Sequence, residues 1–357
     1  KTNNNEEHYY TIPNGWIIAV IVFIILFGIA VLFKDLSSGI KMIISGVPIG
    51  SDTVLTSNIA NVTWQVLSVW LFVYLIMSCK RREIKSQKKC TVFVTVFTLI
   101  FGFITFIETV EFNRWYTIIS VFAALSTTIH LFPEKKRILS LFIFIPIALL
   151  MLLITAYKNA GYSRMGDISL KDSLQNLLDP SILDIYFSGP VGVNNAIALK
   201  EKSGLNFFSV FPDLLNNMPK IGNFLNPNST TNYSYNVFLN RIYGNSRGDL
   251  IIPLIGQSSI YFGYFLSPLL SVIVVLVMRW CDYRFNKTYS FTTYSFAFAS
   301  ISFAVTPMML NLTINANLLY IRILPFALVL FLTNELAIKN KRIERKKKYE
   351  NWLDNNA

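Results

Sequence analysis

The chain has 357 residues, 53% of them hydrophobic and only 15% charged. Soluble domains carry about a quarter charged residues, so this balance excludes an ordinary soluble domain. The net charge of +12 comes from short basic runs set between apolar stretches, not from one folded surface, which argues against nucleic acid as a partner.

Apolar runs of roughly eighteen residues or more recur, each long enough to cross a ~30 Å hydrocarbon core as a helix. They predict an all-α polytopic membrane protein of about eight transmembrane helices, near 16–33, 57–78, 91–110, 115–132, 138–156, 258–278, 289–310 and 318–337. The first run follows the polar "KTNNNEEHYYTIPNG" and lacks a small-residue cleavage site, so it reads as an anchor and not a cleaved leader. The organisation that follows is five helices over 1–156, a large loop at 157–249, three helices over 250–338 and a basic tail at 339–357.

Charge sets the orientation. "CKRREIKSQKK" (79–89), "PEKKR" (133–137), "RWCDYRFNK" (279–287) and "KNKRIERKKK" (339–348) each adjoin an apolar run, as cytoplasmic segments do under the positive-inside rule. Both termini are then cytoplasmic. Cys79, Cys90 and Cys281 fall on the same inner side, where thiols stay reduced and no disulfide is expected.

Three outer connections result: 34–56, a tight turn at 110–114, and the excursion from Tyr157 to Asp249, which far exceeds the usual connection. Its apolar clusters "SLQNLLDPSILDIYF" and "LNFFSVFPDLLNNM" are broken by Pro180, Pro190, Pro212 and Pro219. They predict several short amphipathic helices lying on the membrane surface. Positive and negative side chains in this loop nearly cancel, so single-sign steering is not its role.

Two stretches carry a family resemblance. "YFSGPVGVNNAIAL" (186–199) is similar to the Tyr-x-x-Gly-Pro segment in the large outer loop of Wzy-type oligosaccharide repeat-unit polymerases, and "NYSYNVFLNRIYGNSRGDLIIPLIGQSSIYFGYFLSPLL" (232–270) resembles that family's return into the membrane. The chain departs from the family pattern in having fewer spans and no evident acidic residue before the glycine of "SIYFGYF". The resemblance implies transfer of a lipid-linked sugar chain onto a lipid-linked repeat unit at the outer face, with polyprenyl pyrophosphate leaving. It implies membrane lipid and the lipid-linked oligosaccharide as partners, a flippase and a chain-length regulator as possible ones, and no cofactor or metal.

That chemistry needs cations for the departing pyrophosphate and a carboxylate to take the acceptor hydroxyl's proton. Arginine suits a diphosphate because its planar fork binds two oxygens and stays charged. Arg164, Arg241 and Arg247 are the outer-face candidates, and Arg322 lies a few residues inside the last span, where an unpartnered charge is costly. Each has a plain alternative in headgroup contact or snorkelling. Glu108, at the outer end of the third span, is the candidate base, although its place could equally be structural.

Gly189 and Pro190 set a turn through which backbone can approach a ligand, and Asn194 and Asn195 offer donors and acceptors to sugar hydroxyls. A helix break with polar caps explains the same residues. Tyr186 and Tyr261 could stack on sugar rings or belong to an interfacial aromatic belt. Gln257 sits among apolar neighbours, pointing to a cavity. His8 and His130 both fall on the inner side, which counts against a polysaccharide ligase using an outer-face histidine. A transporter or flippase of lipid-linked sugars is the rival from another class. It would more often show repeated halves and broken helices with short outer loops.

Overall fold

A computed structural model describes residues 54–86, 90–107, 114–141, 205–215, 252–289 and 292–320, with isolated positions such as Gly192–Asn194, Ala196, Ile197 and Lys200. These residues form helices and turns, and no strand occurs among them. In chain order the helices are α1 (Val54–Ser86), α2 (Thr91–Ile107), α3 (Arg114–Leu131), α4 (Val210–Leu215), α5 (Leu254–Phe262), α6 (Leu269–Lys287) and α7 (Thr293–Met309). A further helix, α8, runs over 312–320.

Helices α1, α2, α3 and α7 pack around one core, with α6 against α7. At its centre are Trp70, Phe72 and Ile76 of α1, Phe101 of α2, Ile119 of α3 and Tyr294 and Phe298 of α7, all buried. The Phe72 and Phe101 rings stack with centroids 4.4 Å apart, and Tyr294 meets Phe101 edge-on at 5.8 Å, a geometry that the ring quadrupoles favour. A second core gathers Ala196, Ile252, Leu254, Ile260, Tyr261, Leu270 and Val274, with Leu205 and Val210 against it.

Polar and apolar residues occur on both the inside and the outside of the bundle. Thr98, Thr105, Thr117, Ser120, Thr127, Thr128, Ser302 and Thr306 are buried, whereas Val92, Phe93, Val96 and Ile100 of α2 and Val272, Ile273, Val275 and Leu276 of α6 face outward. Several of the buried hydroxyls are satisfied locally. Those of Thr98, Thr127 and Thr128 donate to carbonyls one turn back, and the Thr98 and Thr128 hydroxyls meet across α2 and α3 at 3.2 Å. Hydroxyl-bearing residues thus share the interior with the large apolar ones, while further apolar side chains of α2 and α6 face outward.

Among the described residues no helix is long and apolar enough to cross a membrane. Helices α2 and α7 have 17 residues each, about 25 Å of rise. Helix α6 has 19 residues, but its second half carries Arg279, Asp282, Arg284 and Lys287. Helix α1 runs on through Arg81, Arg82 and Glu83, past the predicted end at 78, because these long side chains are good helix formers.

The predicted span 258–278 differs most: it is divided between α5 and α6. Gly263 has φ +88°, a left-handed conformation that only glycine adopts at low cost, and Pro268 closes the turn before α6. The Ser258 hydroxyl donates to the Leu266 carbonyl and accepts from Leu270 N–H, both at 3.4 Å, tying the short α5 to the beginning of α6.

Three of the basic stretches gather at one end of the bundle. Lys80 lies 3.7 Å from Glu134 and its ammonium is 4.9 Å from the Phe132 ring centroid, joining the stretches at 79–89 and 133–137. His130 Nε2 is 3.2 Å from the Thr288 carbonyl, and its ring stacks on Tyr289 at 4.5 Å, which brings in the end of α6. The half-exposed Lys80–Glu134 pair adds little stability; its value here is positional.

Candidate functional site

At the far end of α7 the helix meets Pro307 and stops at Met309, with Leu310 extended. Helix α8 begins at once. Asn311 caps it, its Oδ1 accepting from Ile314 N–H at 2.8 Å, as short polar residues do at helix starts. The Ser302 hydroxyl donates to Asn315 Oδ1, so α8 folds back along α7 and Leu310–Asn311 is the tip of a helical hairpin. Both tip residues are fully buried.

What covers the tip is α5. Gln257, also fully buried, reaches from α5 to the start of α8. Its Oε1 accepts from Leu312 N–H at 2.9 Å, and its Nε2 donates to the Thr313 hydroxyl at 2.7 Å and to the Tyr261 hydroxyl at 3.0 Å. A backbone donor left free by the turn is thereby satisfied from another helix. Gln257, Ser258, Ser259, Tyr261, Ser302, Thr306, Asn311, Thr313 and Asn315 make this hairpin end a buried polar zone inside an otherwise apolar bundle. It holds no charged side chain among the described residues, so what it offers a ligand is neutral hydrogen bonding.

The loop segment packs on the same helix. A β-carbon at Gly192 would lie 3.1 Å from Pro253 Cγ, and one at Gly256 would lie 2.6 Å from Ala196 Cβ. Gly192 and Ala196, four apart, thus present a small-residue face to Pro253 and Gly256, the spacing that lets helix backbones approach closely. Beyond α5, the Phe207 ring packs 5.6 Å from that of Phe262. Leu205 and Val210 join the second core.

Of the candidates drawn from sequence, Gln257 and Tyr261 are brought together at the hairpin, buried and bonded to each other. Asn194 lies on the helical stretch carrying Gly192 and Ala196 and is exposed. Arg164, Arg241, Arg247, Arg322, Glu108, Tyr186, Gly189, Pro190 and Asn195 lie outside the described residues. Gly192, Gly256, Asn311 and Asn315 are not among those candidates. The Gly-x-x-x-Ala spacing of 192–196 signalled the first; the two asparagines one turn apart in "NLTIN" signalled a capped helix start. No family profile, no curated protein and no solved structure matches the chain.

Proposed function

We propose that the chain is a multi-pass protein of the bacterial cytoplasmic membrane that joins polyprenyl-pyrophosphate-linked oligosaccharide repeat units at the outer face, as the resemblance to Wzy-type polymerases implies. The reading needs no nucleotide and no metal. The observation that carries it is the contact of Gly192 and Ala196 with Pro253 and Gly256: the two stretches bearing the resemblance pack on one another, beside a buried polar zone. Support for a membrane setting comes from the outward apolar faces of α2 and α6 and from the basic stretches gathered at the opposite end of the bundle.

On this reading Arg164, Arg241, Arg247 and Arg322 hold the diphosphate and stabilise its departing charge. A carboxylate, with Glu108 as candidate, takes the proton of the attacking hydroxyl. The neutral amides and hydroxyls around Gln257 suit the uncharged sugar portion. The test is chain lengthening from lipid-linked repeat units by protein reconstituted in vesicles. Arg164→Ala and Arg241→Ala are expected to abolish lengthening while expression and insertion persist. If none of the four arginine variants changes product length, the arginine clamp is wrong.

One observation favours a second reading. The interruption between α5 and α6 and the buried hairpin tip are features of transporter sites, where discontinuous helices surround the substrate. A flippase and a polymerase separate by where single repeat units accumulate when the chain is deleted: on the inner leaflet for transport, on the outer side for polymerisation.

A further inference from the structure

Two separate segments meet at one exposed apolar tip. The turn Phe207–Ser209 and α4 present Phe207, Phe208 and Phe211 at 47%, 74% and 56% exposure, and the turn between α5 and α6 presents Tyr264, Phe265 and Leu266 at 79%, 92% and 46%. The Phe207–Phe262 ring contact fastens the one to the other. The first segment is held rigidly. Asn206 Oδ1 accepts from Phe208 N–H at 2.9 Å, and Asn206 N–H donates to the Ser209 hydroxyl at 3.1 Å, a reciprocal capping box.

Six large side chains thrust outward from fixed backbone form a patch of the kind that soluble surfaces avoid. Following the patch along the chain, Val272, Ile273 and Leu276 of α6 are exposed as well. Among the described residues one cation stands beside it: the Lys200 ammonium lies 3.0 Å from the position of a β-carbon on Gly263, next to Tyr264. Exposed aromatic groups with a cation beside them are the two halves of an interfacial membrane contact.

We propose that this tip is an interfacial anchor: Phe208 and Phe265 enter the boundary between headgroups and acyl chains, and Lys200 meets the lipid phosphodiester. The inference rests on the membrane reading above and goes beyond it by fixing depth. It sets α5, and with it Gln257 and the hairpin tip, at headgroup level, where a lipid-borne diphosphate also sits.

The test uses the full chain carrying Phe208→Cys, Phe265→Cys, Leu276→Cys or Asn286→Cys, each labelled with a nitroxide and reconstituted in phosphatidylethanolamine–phosphatidylglycerol vesicles. The signal of the labelled parent, from its own cysteines, is subtracted. At 208 and 265 collisions with oxygen are expected to exceed those with a water-soluble nickel chelate several-fold, less strongly than at 276, while at 286 the order reverses. If 208 and 265 behave like 286, or are shielded from both reagents as in a protein contact, the anchor is overturned. The label at 276 separates the two levels. A lipid signature there with water at 208 and 265 removes the anchor alone, and water at all four positions removes the membrane reading with it.

Discussion

Gly256 of α5 faces the methyl of Ala196 so closely that a β-carbon on the glycine would stand 2.6 Å from it. Real β-carbons do not approach so near, and neither atom is the end of a flexible side chain, so the two segments must separate. Gly256→Ala is therefore expected to destabilise the protein by about 1–3 kcal/mol through overpacking. Ala196→Gly, mild alone, should recover most of that loss in the double variant. Thermal unfolding in detergent across the four-member cycle measures it; additive effects would mean that the contact does not exist in solution.

Gln257 makes three hydrogen bonds between α5 and the start of α8. Gln257→Leu keeps the volume but leaves the part-buried Leu312 N–H without its acceptor and the buried Thr313 and Tyr261 hydroxyls without their donor, which costs about 1–3 kcal/mol. Gln257→Glu retains an acceptor yet buries a carboxylate. Burial raises a carboxyl pKa, so this variant's deficit should be large at neutral pH and shrink as the pH falls and the group protonates. Unfolding midpoints of both variants at two pH values check this: a Gln257→Glu deficit that is independent of pH would show position 257 to be wet.

Burial pushes the Cys281 thiol, at the inner end of α6, up to about 11. Cys79, just past the predicted end of its span, is likewise pushed up to about 11, first by burial and then by the neighbouring Cys90 thiol. Only the thiolate is alkylated, so at pH 8 both should react about a hundredfold more slowly than in the unfolded chain. Their rates should climb about tenfold per pH unit through pH 10. The linkage has a matching sign: above the ordinary thiol value the unfolded chain holds fewer protons than the native one, so stability falls as pH rises toward 11. A native alkylation rate that levels off near the ordinary value contradicts both.

Much of this architecture was legible in the sequence, and the misses have physical causes. Apolar runs located α2, α3 and α7 to within a few residues because the burial that orders them is the quantity that hydropathy measures. The same averaging ran across Gly263, whose left-handed backbone divides the predicted span while leaving its composition apolar. It also set the last span at 318 although α8 begins at 312, because Asn311 and Asn315 read as loop residues when they serve as a helix cap and a partner for Ser302. Gln257 was legible as a polar residue among apolar neighbours. Its partners at 312 and 313 were not, since they are distant in sequence and set by tertiary packing alone.

The outward faces of α2 and α6 supply the remaining prediction. Val96 and Leu276 are exposed, and in a soluble protein replacing either by arginine would be nearly neutral. Facing lipid, the same change puts a guanidinium beside hydrocarbon, at a cost of about 2.5–3.5 kcal/mol near mid-bilayer and less toward the interface. Leu276 lies three residues before Arg279 and closer to the inner boundary, so Leu276→Arg can snorkel and Val96→Arg cannot as readily. Membrane-fraction abundance of the two variants is expected to fall, more for Val96→Arg than for Leu276→Arg, while Val96→Leu and Leu276→Val match the parent. Equal abundance of Val96→Arg and the parent, with the protein in the membrane fraction, would place that face of α2 against protein or water instead of lipid.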